Sequence, residues 1–318
     1  MQTERRVNKL TADSQNSRRW GVILAGGEGK RLLPLTRRIA GDDRPKQLCS
    51  LTGHETLLAK TRSRVSRNVH TGRTLLALTK CHERFYADEV ATVSPACLLV
   101  QPENKGTAPA IVYSLMRVHQ ADPDALVAFF PSDHHFADEE ALTVQIDLAF
   151  AMAEFHAELV ILLGIAPEGP EAGYGWIEPG SDLSNPLPGR VRRVSRFWEK
   201  PSQAIALTLV ERGCLWNSFV MVGHVGGFVN LIRRTLPTLL ASIESLGPAR
   251  STLKSRGASC DLYSGISSAD FSRDALSARP GDLAVLCGLG LGWSDLGEPH
   301  RVLSALGRNG IPIQRARQ

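Results

Sequence analysis

Gly21-Val22-Ile23-Leu24-Ala25-Gly26-Gly27-Glu28-Gly29-Lys30-Arg31-Leu32 passes from an apolar run into a cluster of glycines and then into two basic residues. A short apolar run bounded by glycine reads as a buried strand, here over 21–25. Glycines let the backbone approach a polyanion closely and turn N–H groups toward it, and the basic residues that follow neutralise charge. The stretch therefore reads as a phosphate-binding turn at the carboxyl end of a first strand, with Ala25, Gly26, Gly27, Gly29 and Arg31 as candidate ligands. It is not the dinucleotide fingerprint, because Leu32 stands where the third glycine belongs, and not a P-loop, because Arg31 follows Gly29-Lys30 where Ser or Thr is required. A plain tight turn stays open on these residues alone.

Outward from this turn, short apolar runs alternate with amphipathic stretches. Strands are predicted at Leu75–Leu78, Leu98–Val100, Leu126–Phe130 and Val160–Gly164, and helices at Leu57–Val65, Thr107–Val118 and Glu139–Phe155, long enough for right-handed crossovers. The pattern predicts an α/β fold with a doubly wound, mostly parallel, Rossmann-like sheet and ligands at the carboxyl ends of its strands. The second half is less regular: a strand at Val191–Phe197, a Pro/Ser/Gly-rich loop over Asp182–Gly189 and weak periodicity from Leu246 to Gly265. No internal repeat occurs, so no β-helix of hexapeptide repeats is expected.

The 318 residues are 43% hydrophobic and 22% charged, which places the chain among ordinary globular proteins. No apolar stretch approaches the roughly 20 residues needed to span a bilayer, so no membrane partner is expected. The net charge of +5 lies mostly in the first 20 residues, where Arg5, Arg6, Lys9, Arg18 and Arg19 face only Glu4 and Asp13. The remainder is almost neutral and has no aromatic-interleaved basic stripe, which argues against nucleic acid as a partner. Residues 1–19 read as a basic flexible extension without the apolar core of a secretory signal. The six cysteines, Cys49, Cys81, Cys97, Cys214, Cys260 and Cys287, form no C-x-x-C pair, and a reducing cytoplasm fits them. The sequence does not set the oligomeric state, and a homo-oligomer stays open.

A second basic element, Arg44-Pro45-Lys46-Gln47, follows the glycine turn, with proline fixing the backbone so that Lys46 can face the same phosphates. Together with Leu24–Thr36 it resembles the signature of sugar nucleotidyltransferases, specifically mannose-1-phosphate guanylyltransferases. Further segments agree in order: Gln101–Ala110, Pro131-Ser132-Asp133-His134, Gly173–Glu178, Trp198-Glu199-Lys200-Pro201, Leu215-Trp216-Asn217-Ser218 and Trp293-Ser294-Asp295-Leu296-Gly297. The resemblance covers roughly residues 20–300 and implies one nucleotidyltransferase domain, with a nucleotide-binding half at about 20–165 and a sugar-phosphate-binding half at about 166–300. A short tail, 301–318, would follow, with a helix near Val302–Leu306 that only packs. No room is left for the C-terminal β-helix or isomerase domain of larger relatives.

What the resemblance implies is transfer of a nucleotidyl group from a nucleoside triphosphate, preferentially GTP, to a sugar 1-phosphate, preferentially mannose 1-phosphate. Such a reaction needs alignment and charge neutralisation and no covalent intermediate. Arg31, Lys46 and Asp133 would be catalytic, with Lys46 stabilising the α-phosphate. Asp133 and Asp295 would hold Mg²⁺, a cation that takes one or two carboxylates plus substrate phosphates. A helix cap at Asp133 and a turn residue at Asp295 are the structural alternatives. His134 and His135 are expected to be structural. Gln101, Gly106 and Thr107 would face the base, although Thr107 could instead cap its helix. Gly175, Glu178, Lys200 and Asn217 would hold the sugar phosphate. Two departures from the family stand out: Phe219 follows Asn217-Ser218 where glycine is usual, and the segment around Asp270–Asp274 lacks the usual Met-Glu-Lys, with either Arg273 or nothing replacing the lost contact. A nucleotide-sugar-binding regulator and a nucleic-acid binder acting through the basic N-terminus are the alternatives from other classes.

Overall fold

The computed structural model describes residues 18–183, 191–247, 263–288 and 290–308. The basic extension through residue 17, most of the 182–189 loop and most of the 246–265 segment lie outside the described residues.

The described residues are built on one nine-stranded sheet. Its strands are β1 (Arg19–Leu24), β2 (Thr74–Thr79), β3 (Leu98–Gln101), β4 (Leu126–Pro131), β5 (Val160–Ile165), β6 (Gly175–Asp182), β7 (Val191–Glu199), β8 (Leu215–His224) and β9 (Leu283–Gly288), in spatial order β3-β2-β1-β4-β8-β5-β9-β7-β6. The expected strands and the three expected helices are present, and the Leu57–Val65 and Glu139–Phe155 helices have the predicted limits. Local chemistry accounts for both: Thr56 accepts from the N–H of Ala59, and Asp138 from that of Ala141 with Glu139 and Glu140 in the first turn.

The expected mostly parallel sheet is instead mixed. β1 to β4 are parallel as predicted, but β7 and β8 run against the other strands. β8 is inserted between β4 and β5 and antiparallel to both. The reason is the connection: only eight residues, 183–190, separate β6 from β7, too few for a crossover, and a strand joined by a short link pairs antiparallel. Alternate residues of each buried strand feed opposite faces, so Ile23, Leu76 and Ile161 enter one core and Val22, Leu75 and Val160 the other. The Glu139–Phe155 helix covers the first face, and the Thr107–Ala121, Val225–Thr235 and Pro237–Ser245 helices cover the second. A third, smaller cluster packs Val302, Ala305 and Leu306 of the Pro299–Arg308 helix on Leu32, Leu57 and Leu296. That helix thereby braces the residues next to Arg31 and Asp295. Among the described residues no helix is long and apolar enough to cross a membrane.

Candidate active site

A cavity of about 410 Å³ opens over the carboxyl ends of β1, β2, β3 and β4 and continues to the start of β6 and the end of β7. Its lining includes Gly26, Gly27, Arg31, Lys46, Gln101, Gly106, Thr107, Asp133, Gly175, Lys200, Asn217 and Asp295, twelve of the fifteen residues predicted for the site. Residues from both ends of the chain thus meet in one place.

The glycine turn is held from behind. Buried Gln47 donates through Nε2 to the carbonyls of Ala25 (3.1 Å) and Gly27 (2.6 Å), and Thr79 Oγ1 donates to that of Gly26 (3.1 Å). Three consecutive carbonyls are thereby satisfied, while among the described residues the N–H groups of Gly26 and Gly27 have no acceptor. What the turn offers a ligand is N–H groups, the requirement for an anion. Ala25 itself is buried beneath the turn and outside the lining, its own N–H donated to Ala77. Gly29 lies in an adjoining groove with Arg31, Lys46 and Asp133. Its φ of +61° and a Cβ position 3.0 Å from the Lys46 nitrogen explain why glycine is required where the two basic motifs touch. Arg31 Nη1 rests on Glu298, 2.9 Å away.

Lys46 occupies the middle of the floor. Its ammonium lies 3.1 Å from Asp133 Oδ2 and donates to the carbonyls of Asp295 (2.7 Å) and Leu296 (3.3 Å). Asp133 is no helix cap, since Asp138 caps the helix that follows. Asp295 does shape a turn, accepting from the N–H of Gly297 at 2.9 Å, but the same Oδ1 also accepts from Tyr174 (3.0 Å) and Arg301 (2.8 Å). Burial works to raise its pKa, but the charge and hydrogen bond of Arg301 and the charge of Lys46 outweigh this and hold the carboxyl below the usual range. Asp295 Oδ2 accepts nothing among the described residues, and Asp133 lies 3.1 Å from Lys46 through Oδ2 and 3.7 Å from His134 Nε2 through Oδ1. Two hard-oxygen side chains flank the floor, a donor set that fits Mg²⁺ completed by substrate phosphates. His134 lies in the lining, partly buried with its ring edge-on to Trp293, whose indole donates to Nδ1 at 3.2 Å. Burial pushes it below its ordinary value, so it is neutral at pH 7.

On the far side, Gly106 (φ +94°) brings the chain against the Ala269 carbonyl, which accepts from Ala108 N–H. Thr107 does not cap its helix; its Oγ1 accepts from the N–H of Phe271 at 2.8 Å. The base-side loop and the segment around Asp270 and Ser272, both in the lining, are stitched together in this way. Gln101 is 2% exposed and its Oε1 accepts from the hydroxyl of fully buried Tyr263 at 2.6 Å, which leaves the amide NH₂ to face the cavity.

At the other end, Gly175 admits Glu199 Oε2, Phe197 and Asn217, each 3.0–3.3 Å from where a Cβ would stand. Glu199 pairs with Lys200 at 3.4 Å. Burial and the nearby charge of Asp270 raise its carboxyl, against the pull of Lys200 and Ser272. Glu178 is not brought to the cavity. It lies an odd number of residues from Gly175 on β6 and so on the opposite face, where it pairs with Arg212. Glu199 stands in the position expected of it. Arg273 is likewise turned away, paired with Asp274.

Among the described residues three other than glycine have a left-handed backbone, Lys200, Phe219 and Leu296, and all three line or adjoin the cavity. Strain of this kind costs on the order of 1–3 kcal/mol per residue and persists only where the surroundings impose it, which happens most at functional sites. Sequence reading missed Gln47, Tyr263, Glu199 and Arg301. Gln47 and Glu199 sit beside Lys46 and Lys200 in the same motifs; Arg301 and Tyr263 carry no local signal.

The sequence profile of the family described as "Nucleotidyl transferase" matches residues 20–307. The alginate biosynthesis protein AlgA of Pseudomonas syringae pv. tomato is 32% identical over 285 residues, 87% of this chain and 56% of that protein. A mannose-1-phosphate guanylyltransferase of Escherichia coli is 28% identical over 88% of this chain and 58% of its own length. The chain spans little more than half the length of these curated relatives. Among solved structures, a Thermus thermophilus protein described as mannose-1-phosphate geranyltransferase superposes with a TM-score of 0.77 at 29% identity, over 90% of this chain and 79% of the other.

Proposed function

Given that the chain belongs to the nucleotidyl transferase family, we propose that its cavity transfers a nucleotidyl group from GTP to mannose 1-phosphate, releasing pyrophosphate. The observation that carries this reading is the floor of the cavity, where Lys46 lies between Asp133 and Asp295 and the anion-binding turn and the sugar-side residues meet. A phosphate oxygen of the sugar attacks the α-phosphorus in line, a P–O bond forms, and the bond to the bridging oxygen of pyrophosphate breaks. The N–H groups of Gly26 and Gly27 cradle the triphosphate, and Arg31 exchanges Glu298 for phosphate oxygens. Lys46 stabilises charge that grows at the α-phosphate and on the leaving group. Asp133 and Asp295 hold Mg²⁺, whose contribution there is neutralisation of phosphate charge. No side-chain nucleophile is required.

The orientation of Gln101 supports GTP over ATP. With Oε1 committed to Tyr263, the amide presents donors, which match the O6 acceptor of guanine and oppose the amino group of adenine. Gly175, Asn217 and Glu199 supply groups for sugar hydroxyls, and Lys200 a cation for the sugar phosphate.

A matrix of nucleoside triphosphates against hexose 1-phosphates, read by pyrophosphate release, tests the reading. GTP with mannose 1-phosphate should give the highest kcat/KM, and absence of turnover throughout would sink the proposal. Lys200→Ala is expected to raise the KM for sugar phosphate roughly 10- to 100-fold with little change in kcat, as for loss of a charge-assisted hydrogen bond. An effect on GTP alone would displace Lys200 from the acceptor side. Arg301 ties Asp295 Oδ1 to Glu171 Oε2 (2.7 Å) and lies over the Tyr174 ring. Arg301→Met should therefore raise the Mg²⁺ concentration for half-maximal rate, by about 10- to 100-fold if it behaves as other residues that orient metal ligands. Arg301→Lys should recover part of the loss, and an unchanged Mg²⁺ dependence in Arg301→Met would reduce the residue to packing.

A further inference from the structure

Phe219 stands where its backbone asks for glycine. Its φ is +61°, in the left-handed region that a bulky side chain disfavours. A bulge imposes the conformation. The pairing of β5 with β8 runs from Leu162 opposite Met221 to Gly164 opposite Asn217, so Ser218, Phe219 and Val220 face the single residue Leu163. Buried Ser218 pegs the bulge, its Oγ donating to the Leu163 carbonyl (2.6 Å) and accepting from Val220 N–H (3.2 Å). Asn217 Oδ1 accepts from Phe219 N–H at 3.1 Å. Bulges re-aim side chains, and Phe219, partly buried against the apolar core below, is one of the residues that line the cavity, as are Asn217, Glu199, Lys200, Asp270 and Ser272. These last five are polar and suit sugar hydroxyls and phosphate; an aromatic side chain in the same lining contributes bulk.

We propose that Phe219 is a specificity-determining residue of the acceptor pocket, its ring closing the sugar end to the size of an unsubstituted hexose 1-phosphate and excluding 1-phosphates of sugars with a bulky N-acyl substituent. The inference rests on the reading of the acceptor as a sugar 1-phosphate. Glycine at 219 would satisfy the backbone and leave the pocket open, so the strained residue is retained for its ring. Asn217 is fixed by the same bulge, its acceptor oxygen committed to the 219 N–H and its NH₂ left for the sugar.

The test compares the protein with Phe219→Gly and Phe219→Ala. Each is assayed with one nucleoside triphosphate against a hexose 1-phosphate and its 2-acetamido-2-deoxy counterpart. The ratio of kcat/KM is expected to move toward the acetamido sugar by about tenfold or more in both variants, the scale on which pocket walls discriminate groups of this size. Phe219→Gly should also have a higher urea midpoint than Phe219→Ala, because only glycine relieves the backbone. A ratio unchanged in both variants that still use the hexose phosphate would overturn the proposal and leave the reaction standing. A shift in Phe219→Gly alone would also overturn it, assigning selectivity to the backbone. If the unsubstituted protein turns over no sugar 1-phosphate, the underlying reading fails and takes the proposal with it. Where a variant turns over too slowly, calorimetric affinities for the two sugar phosphates supply the same ratio.

Discussion

Asp133→Asn and Asp295→Asn are each expected to lower kcat by roughly 10²–10³-fold, the usual scale for losing one preorganised electrostatic group at a reacting centre. The substitutions keep shape and remove charge. At Asp295 an amide oxygen can still accept from Tyr174 and Gly297, so the turn survives, while the charge opposite Arg301 and Lys46 is gone. At Asp133 the loss leaves Lys46 held by two backbone carbonyls. Steady-state rates measured across a Mg²⁺ titration should show both the lower ceiling and a weaker metal dependence, with urea midpoints little changed. Near-normal rates in both variants would refute the assignment of these carboxylates to metal and phosphate.

Gly106→Ala should act on the fold as much as on the site. The position has φ +94°, and an added Cβ would stand 2.4 Å from the Ala269 carbonyl oxygen, a backbone atom that already accepts from Ala108. The backbone conformation alone costs on the order of 1–3 kcal/mol for a residue with a side chain. The overlap adds to this, because neither strand of the contact is a flexible side-chain end. We expect a markedly lower urea midpoint together with a raised KM for the nucleotide. Gly27→Ala is the contrast: nothing lies within 4 Å of its Cβ position and its backbone is ordinary, so stability should hold while the methyl group intrudes on the anion site. Equal midpoints for the two variants would show that the 106–269 contact is not the constraint described.

The sequence disclosed what is local. β1 to β5 and the three helices announced themselves by apolar periodicity and caps, and the glycine turn, Lys46 and Asp133 by their place after strand ends. The antiparallel insertion of β8 was hidden because it depends on which distant strands share an edge, and no periodicity encodes that. Glu178 illustrates a legible point that was passed over: three residues from Gly175 on a strand is the wrong parity for one pocket. Thr107 illustrates the opposite, since its hydroxyl serves Phe271, 164 positions away. Tyr263 and Arg301 act through contacts to Gln101 and Asp295 that only the folded chain creates.

The place of β5 in the sheet also bears on the order in which the protein can be made. Both neighbours of β5, Leu215–His224 and Leu283–Gly288, are synthesised after it. As the chain leaves the ribosome, Val160–Ile165 emerges as a bare apolar strand, and β4 waits beside it with an open edge until β8 arrives. Domains generally fold as they emerge, from the N-terminus onward, but here the sheet around β4 and β5 cannot close before β9, near the end of the described chain, has been translated. A nascent chain arrested anywhere between β5 and β9 would leave at least one edge of β5 unpaired, which is the kind of surface that chaperones recognise.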